Sequence, residues 1–195
     1  MQIDRMSGSM LHKIRALLAT PEPPGLGPGP RAGVSTEAQL NETLTQAFDG
    51  TTLPAENQEL ARALVLLWHD HLHAAHRLVQ DRENLNGFLV HGLVHRREND
   101  YSNARFWLRS VDQHASFAEV SRRVTVYLDS KNEPELRDQL LPKGAWNLMA
   151  FVDALEAAAK NKAPAPRQVV LREIQRIELE KLLEHFLKPK PAPAK

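Results

Sequence analysis

The chain has 195 residues, 42% of them hydrophobic, with 25 basic and 24 acidic side chains, a formal net charge of +1 and no cysteine. That length and apolar content fit one globular domain with a real core rather than a disordered chain. The balanced charge gives no general pull toward nucleic acid or anionic membrane, and without cysteine any metal site must be built from histidine and carboxylate.

In chain order, the first element is an amphipathic helix within residues 3–19, where Met10, Leu11, Ile14, Leu17 and Leu18 share the apolar positions. Residues 20–33, TPEPPGLGPGPRAG, carry proline and glycine at a density that fits neither helix nor strand, and they read as a linker or long irregular loop. Residues 1–34 are thus an expected N-terminal extension. Ser35 then reads as a helix cap, with Leu40, Leu44 and Phe48 on one face and Asp49-Gly50 as the stop. From Pro54 to about Val126 helix follows helix, with a turn at 84–86 and a second near Asn99-Asp100. The helix around FAEVSRRVTVYL ends in residues that also suit a strand. KNEPELRDQLLPKG reads as loop, AWNLMAFVDALEAAAK as helix, APAPR as a break, and QVVLREIQRIELEKLLEHFL as a long amphipathic helix. Residues 188–195, KPKPAPAK, read as an extended, disordered tail. No segment alternates as a half-buried strand does. The expected class is all-α, a single domain of antiparallel helical hairpins over residues 35–187.

No apolar run approaches the roughly 18 residues needed to span a bilayer, and the N-terminus lacks the apolar core of a secretory signal. A cytoplasmic location without membrane contact is therefore expected.

The segment HGLVHRRENDYSNARFW, residues 91–107, holds most of the polar residues of interest. Phe88, Gly92, Tyr101, Ala104, Leu108 and Val111 follow a spacing that resembles a tetratricopeptide unit, in which small residues let two helices approach closely. In that pattern Asp100 caps the second helix, Asn99 takes the left-handed turn position, and Asn103 lies one turn on. Leu72, Ala75 and Val79 echo Tyr101, Ala104 and Leu108 at an interval shorter than the roughly 34-residue repeat. The echo places a helix break near His69-Asp70. The fuller string HxxxHRRExDYxNAxxW, preceded by WHDxLxxAH and followed by WNxxxFVD, resembles an uncharacterised family of small bacterial and fungal proteins across roughly residues 60–185. That resemblance implies one domain with a variable N-terminus, and no activity.

Nine histidines are present, five of them between His69 and His91. At about 100° per residue, His91, His95 and Glu98 share a stripe with Phe88 on one helix face. Folding the preceding helix back across the turn brings His76 level with them. An i, i+4 histidine pair joined by a third imidazole is a standard cradle for zinc or iron, and an open position on such a metal activates water. The plainer alternative makes His76, His91 and His95 buried polar groups that bond Glu98, Asp70, Asn103 or backbone carbonyls. His69, His71 and His73 read as solvated, His71 above all.

Arg96 and Arg97 suit a clamp on a carboxylate or phosphate, or else a salt bridge to Glu98 or Asp100. Arg105, Arg109, Phe106 and Trp107 suggest a stacking surface, against which the neutral charge speaks. Ile174, Ile177, Leu182, Leu183 and Phe186 are packing residues or a homo-oligomer seam.

Two function classes follow. The preferred one is a binding module, in which a groove lined by His76, His91, His95, Arg97 and Trp107, with Arg96 and Asn103 as further ligand-binding candidates, receives a peptide, a protein or a small acidic ligand. The alternative is a metal-dependent hydrolase or oxygenase that uses His76, His91, His95 and Glu98 with zinc or iron. No phosphate loop, nucleophile elbow or dinucleotide fingerprint accompanies either.

Overall fold

The computed structural model describes residues 2–188, with side chains from Met10 onward. Ten α-helices and one 3-10 turn occur among them, and no strand. The helices are α1 (Gln2–Leu17), α2 (Glu37–Phe48), α3 (Ala55–Trp68), α4 (Leu72–Val79), α5 (Leu85–Arg97), α6 (Tyr101–Leu108), α7 (Phe117–Ser130), α8 (Pro134–Leu140), α9 (Leu148–Lys160) and α10 (Ala165–Phe186). The tail from residue 189 lies outside the described residues.

Local chemistry sets many of these boundaries. Thr36, not Ser35, caps α2 in a reciprocal box with Gln39. Asn84, Asp100 and Asn147 cap α5, α6 and α9 through side-chain oxygens that accept the amides of Gly87, Asn103 and Ala150. The α3–α4 and α5–α6 corners use one device, a short polar residue in the left-handed region: Asp70 at φ 66° and Asn99 at φ 61°. Two expectations need correction, and one open reading is decided. KNEPELRDQLLPKG contains α8, which Pro134 opens from within the first turn and whose Leu136 and Leu140 reach the core. APAPR is no break beyond Pro164, since proline costs nothing in the first turn of α10. The strand-like end of α7 is helical, with Val124 and Leu128 inward and Val126 outward.

Successive helices from α1 to α6 pack pairwise as hairpins, α7 packs on α8, and α6 meets α9. α10 runs against α3, α7 and α9 and closes the domain. Helix α10 is therefore surrounded. Ile174, Ile177, Leu182, Leu183 and Phe186 are all buried within the chain, so the proposed homo-oligomer seam is spent internally.

The boundary at residue 34 also falls. Met10 and Ile14 of α1 are buried in the same core. The Pro/Gly segment 20–33 is irregular but is not a spacer. Gln175 Nε2 donates to Gly25 O at 2.8 Å, Trp68 Nε1 to Thr20 Oγ1 at 3.1 Å, and Arg172 pairs with Glu22 at 2.9 Å. The segment is a strap laid across α3 and α10.

The tightest helix contact lies between α5 and α6. A Cβ built on Gly92 would stand 2.4 Å from Leu108 Cγ and 3.3 Å from Ala104 O. Leu108 is itself buried and cannot swing away. Gly92→Ala is expected to lower stability by about 1–3 kcal/mol through overpacking, read as a reduced urea midpoint at unchanged slope.

Candidate functional site

The two arginines expected in a groove are internal. Arg96 and Glu178 of α10 are both 0% exposed, and the guanidinium meets the carboxylate with two hydrogen bonds, one at 3.2 Å and one shorter. Its Cζ sits 4.8 Å from the Phe151 ring centre on α9. Arg97 donates to Leu67 O at 3.0 Å, to Asp70 Oδ1 at 2.7 Å and to Gly27 O at 3.2 Å. Burial pulls its guanidinium below the usual arginine range, and the hydrogen bond to Asp70 opposes this. Neither reaches Glu98 or Asp100, and neither faces solvent. Asn103 is exposed but engaged at the start of α6, where its amide and side chain both donate to Asp100, at 3.1 and 2.7 Å. Of the four residues expected to bind a ligand, Trp107 alone stands beside the histidines.

The histidines do converge. His76 comes from α4, and His91 and His95 come from successive turns of α5. The His91 Nε2 atom lies 2.9 Å from His76 Nε2 and 3.1 Å from His95 Nε2. All three residues offer ring nitrogens within 4.8 Å of one another. Glu98 stands on the far side of His95, with its Oε2 3.0 Å from His95 Nδ1. It is a partner of a cluster member rather than a member. Trp107 stacks on His91 with ring centres 4.1 Å apart and 24° between planes, and Phe88 backs Trp107 at 5.7 Å. His91 is buried, whereas His76 and His95 remain partly open to solvent.

Proton placement in this cluster is over-constrained. A carboxylate only accepts, so His95 Nδ1 carries the proton that Glu98 receives. Neutral His95 then turns a lone pair toward His91. His91 Nε2 can carry at most one proton for two neighbours, and His91 Nδ1 is buried without a partner. Burial, reinforced by His95 and His76, pushes the His91 pKa down to about 4, so at neutral pH its ring is uncharged. Three nitrogens that face one point and hold lone pairs there are the donor set a divalent cation requires. For tetrahedral zinc with bonds of 2.0–2.1 Å, nitrogens stand about 3.3 Å apart, close to the two separations at His91, and the third pair lies within 4.8 Å. The Glu98–His95 contact is then the outer carboxylate that commonly orients a metal-bound imidazole.

The remaining histidines have other duties. His69 is buried, with Nε2 donating to Leu17 O at 2.8 Å and Nδ1 accepting from Ser35 N at 3.1 Å. His71 Nε2 donates to Ser35 O at 2.8 Å. Both fasten the N-terminal part to the α3–α4 corner, against the expectation that they were solvated, and of the three residues His69, His71 and His73 the last alone is exposed. Sequence reasoning passed over His114. It is buried ahead of α7, contacts Ser116 Oγ at 2.6 Å and Asn86 Oδ1 at 3.0 Å, and packs against the His185 ring at 4.8 Å. The one signal was its place two residues before the N-cap of α7, Ser116.

Comparison with protein families, curated proteins and solved structures finds no match to this chain.

Two outcomes follow. Glu178→Gln strips Arg96 of its counter-charge in a dry core and is expected to cost about 3–5 kcal/mol in chemical denaturation. Burial, with His185 beside it, holds the His114 pKa down at about 4, whereas the unfolded chain returns it to about 6.5. Between those values the unfolded state binds more protons, so stability falls as the pH drops from 6.5 toward 4. His114 contributes about 3 kcal/mol of loss over that window, and His114→Gln is expected to flatten the slope of urea stability against pH by that share.

Proposed function

We propose that this chain is a metal-dependent protein that holds one divalent cation between α4 and α5, through Nε2 of His76, His91 and His95. The observation that supports the reading is the meeting of three imidazole nitrogens at one point, with one outer nitrogen fixed by Glu98. Zinc fits better than iron. The donor set is three neutral nitrogens, and the carboxylate that the facial triad of iron oxygenases places on the metal is here turned to an outer nitrogen. Such a centre supplies a Lewis acid and a water acidified toward neutral pH, which is hydrolytic chemistry. The protein's part is to present the nitrogens unprotonated, to cover His91 with Trp107, and to orient His95 through Glu98.

A binding groove would draw its anion clamp from Arg96 and Arg97, and both are internal. The metal reading extends, as a proposal, to the HxxxHRRExDYxNAxxW family that the chain resembles, wherever His76 also has its counterpart. Soluble, tetratricopeptide-like packing of the α3–α6 region belongs to the same proposal.

Elemental analysis of untagged protein prepared without chelator is expected to show about one zinc per chain. His76→Gln and the His91→Ala/His95→Ala pair should remove it. His76 lies on a partly open surface, so its variant should keep the helical circular dichroism of the parent. Zinc at a hundredfold excess over its dissociation constant stabilises by about 2.7 kcal/mol, a rise of about 5–10 °C in Tm for a chain of this size. A parent protein that holds no metal and shows no zinc-dependent Tm overturns the proposal.

A further inference from the structure

We infer that the metal centre keeps one coordination position for an exchangeable ligand from solvent, water or hydroxide, which small monovalent anions displace. This rests on the metal reading above. Among the described residues, the cluster of potential metal ligands around His91 contains three histidines and no fourth histidine or carboxylate. Glu98 is nearest, but its Oε2 is committed to the outer nitrogen of His95, across the ring from Nε2. Asp100, the next carboxylate along, is committed to Asn103 and Ser102 at the start of α6.

Zinc sites that serve only structure are closed by four protein ligands, whereas sites that do chemistry hold three and leave one place open. The surroundings fit the second kind. His91 is covered by Trp107 and contributes no opening, while His76 and His95 are partly exposed, so solvent approaches between α4 and the end of α5. A small linear anion such as azide or thiocyanate is the simplest probe of such a position.

A further imidazole is the one local rival for the fourth place. His73 lies on α4 one turn before His76 and is exposed. It is the side chain that could close the centre by swinging in.

The test uses the full chain loaded with cobalt(II), whose visible absorption reports coordination number and ligand type. The parent is expected to bind one equivalent of cobalt, and azide should then shift the visible bands in a saturable, single-site titration. His73→Ala should bind cobalt with the same spectrum and give the same azide response. A cobalt spectrum that azide leaves unmoved overturns the inference and leaves the metal reading standing, as does a His73→Ala spectrum that differs from the parent before azide is added. Failure of the parent to bind cobalt or zinc overturns both.

Discussion

Two adjacent guanidinium groups at the end of α5 govern how this molecule is put together. Arg96 and Arg97 are both fully buried, a cost of several kcal/mol per ion that only well-placed partners offset. Arg96 points to Glu178 on α10 and the Phe151 ring on α9. Arg97 points to Asp70 and Leu67 O at the α3–α4 corner and to Gly27 O in the strap. Together they tie one helix end to four other parts of the chain. Successive residues on a helix are about 100° apart, so these two side chains also set the rotation of α5. His91 and His95 then have no choice of direction and face α4 and α6. The site geometry is a consequence of the ion pairs, although no arginine enters the site.

Asp70 is the joint of this network. Its left-handed backbone turns α3 into α4, and its carboxylate receives Arg97 on one oxygen and both Arg31 N and Arg31 Nε, each at 3.0 Å, on the other. That explains why a segment so rich in proline and glycine packs instead of dangling. Its carbonyls satisfy Arg97 and Gln175, and Arg31 returns to Asp70. A helix there would turn its carbonyls inward along its own axis and leave those buried donors without acceptors. The irregular backbone is what makes the strap useful as a set of hydrogen-bond acceptors.

These relations mark where a sequence can be read and where it cannot. Helix content, the corner at His69-Asp70, the left-handed Asn99, the Asp100 cap and the close approach at Gly92 were legible, because each depends on residues within a few positions or on the 3.6-residue period. The convergence of His76 with His91 and His95 was legible for the same reason, being a fold-back across one short turn. The partners of Arg96 and Arg97 were not. Glu178 lies 82 residues away and Gly27 70 residues away, and local pattern carries no record of such distances, so the arginines drew the nearest carboxylates on the chain as expected mates. His69 and His71 misled in a related way. An alternating polar run looks solvated unless one knows that the N-terminal strap lies over it. The helix α8 was hidden by Pro134 and by its shortness.

The metal proposal and the architecture bear on one another. Helix α4 has eight residues, too few to be stable by itself in water, and it carries one of the three imidazoles. A cation held by His76 on α4 and by His91 and His95 on α5 would cross-link the short helix to the one that the buried arginines hold rigid. Binding and local order would then be a single event, since the ligands are pre-aimed on α5 and only α4 must close on them. Without a cation the cluster leaves a buried nitrogen of His91 unpaired and at most one proton on His91 Nε2 to serve two neighbouring rings, a loss of about 1–3 kcal/mol for each unmet group. With one, the lone pairs are satisfied and the unpaired His91 Nδ1 proton is the one residual cost. The arrangement that makes least sense as a hydrogen-bonded core makes most sense as a ligand set, and the rigid α5 gives that set its fixed half.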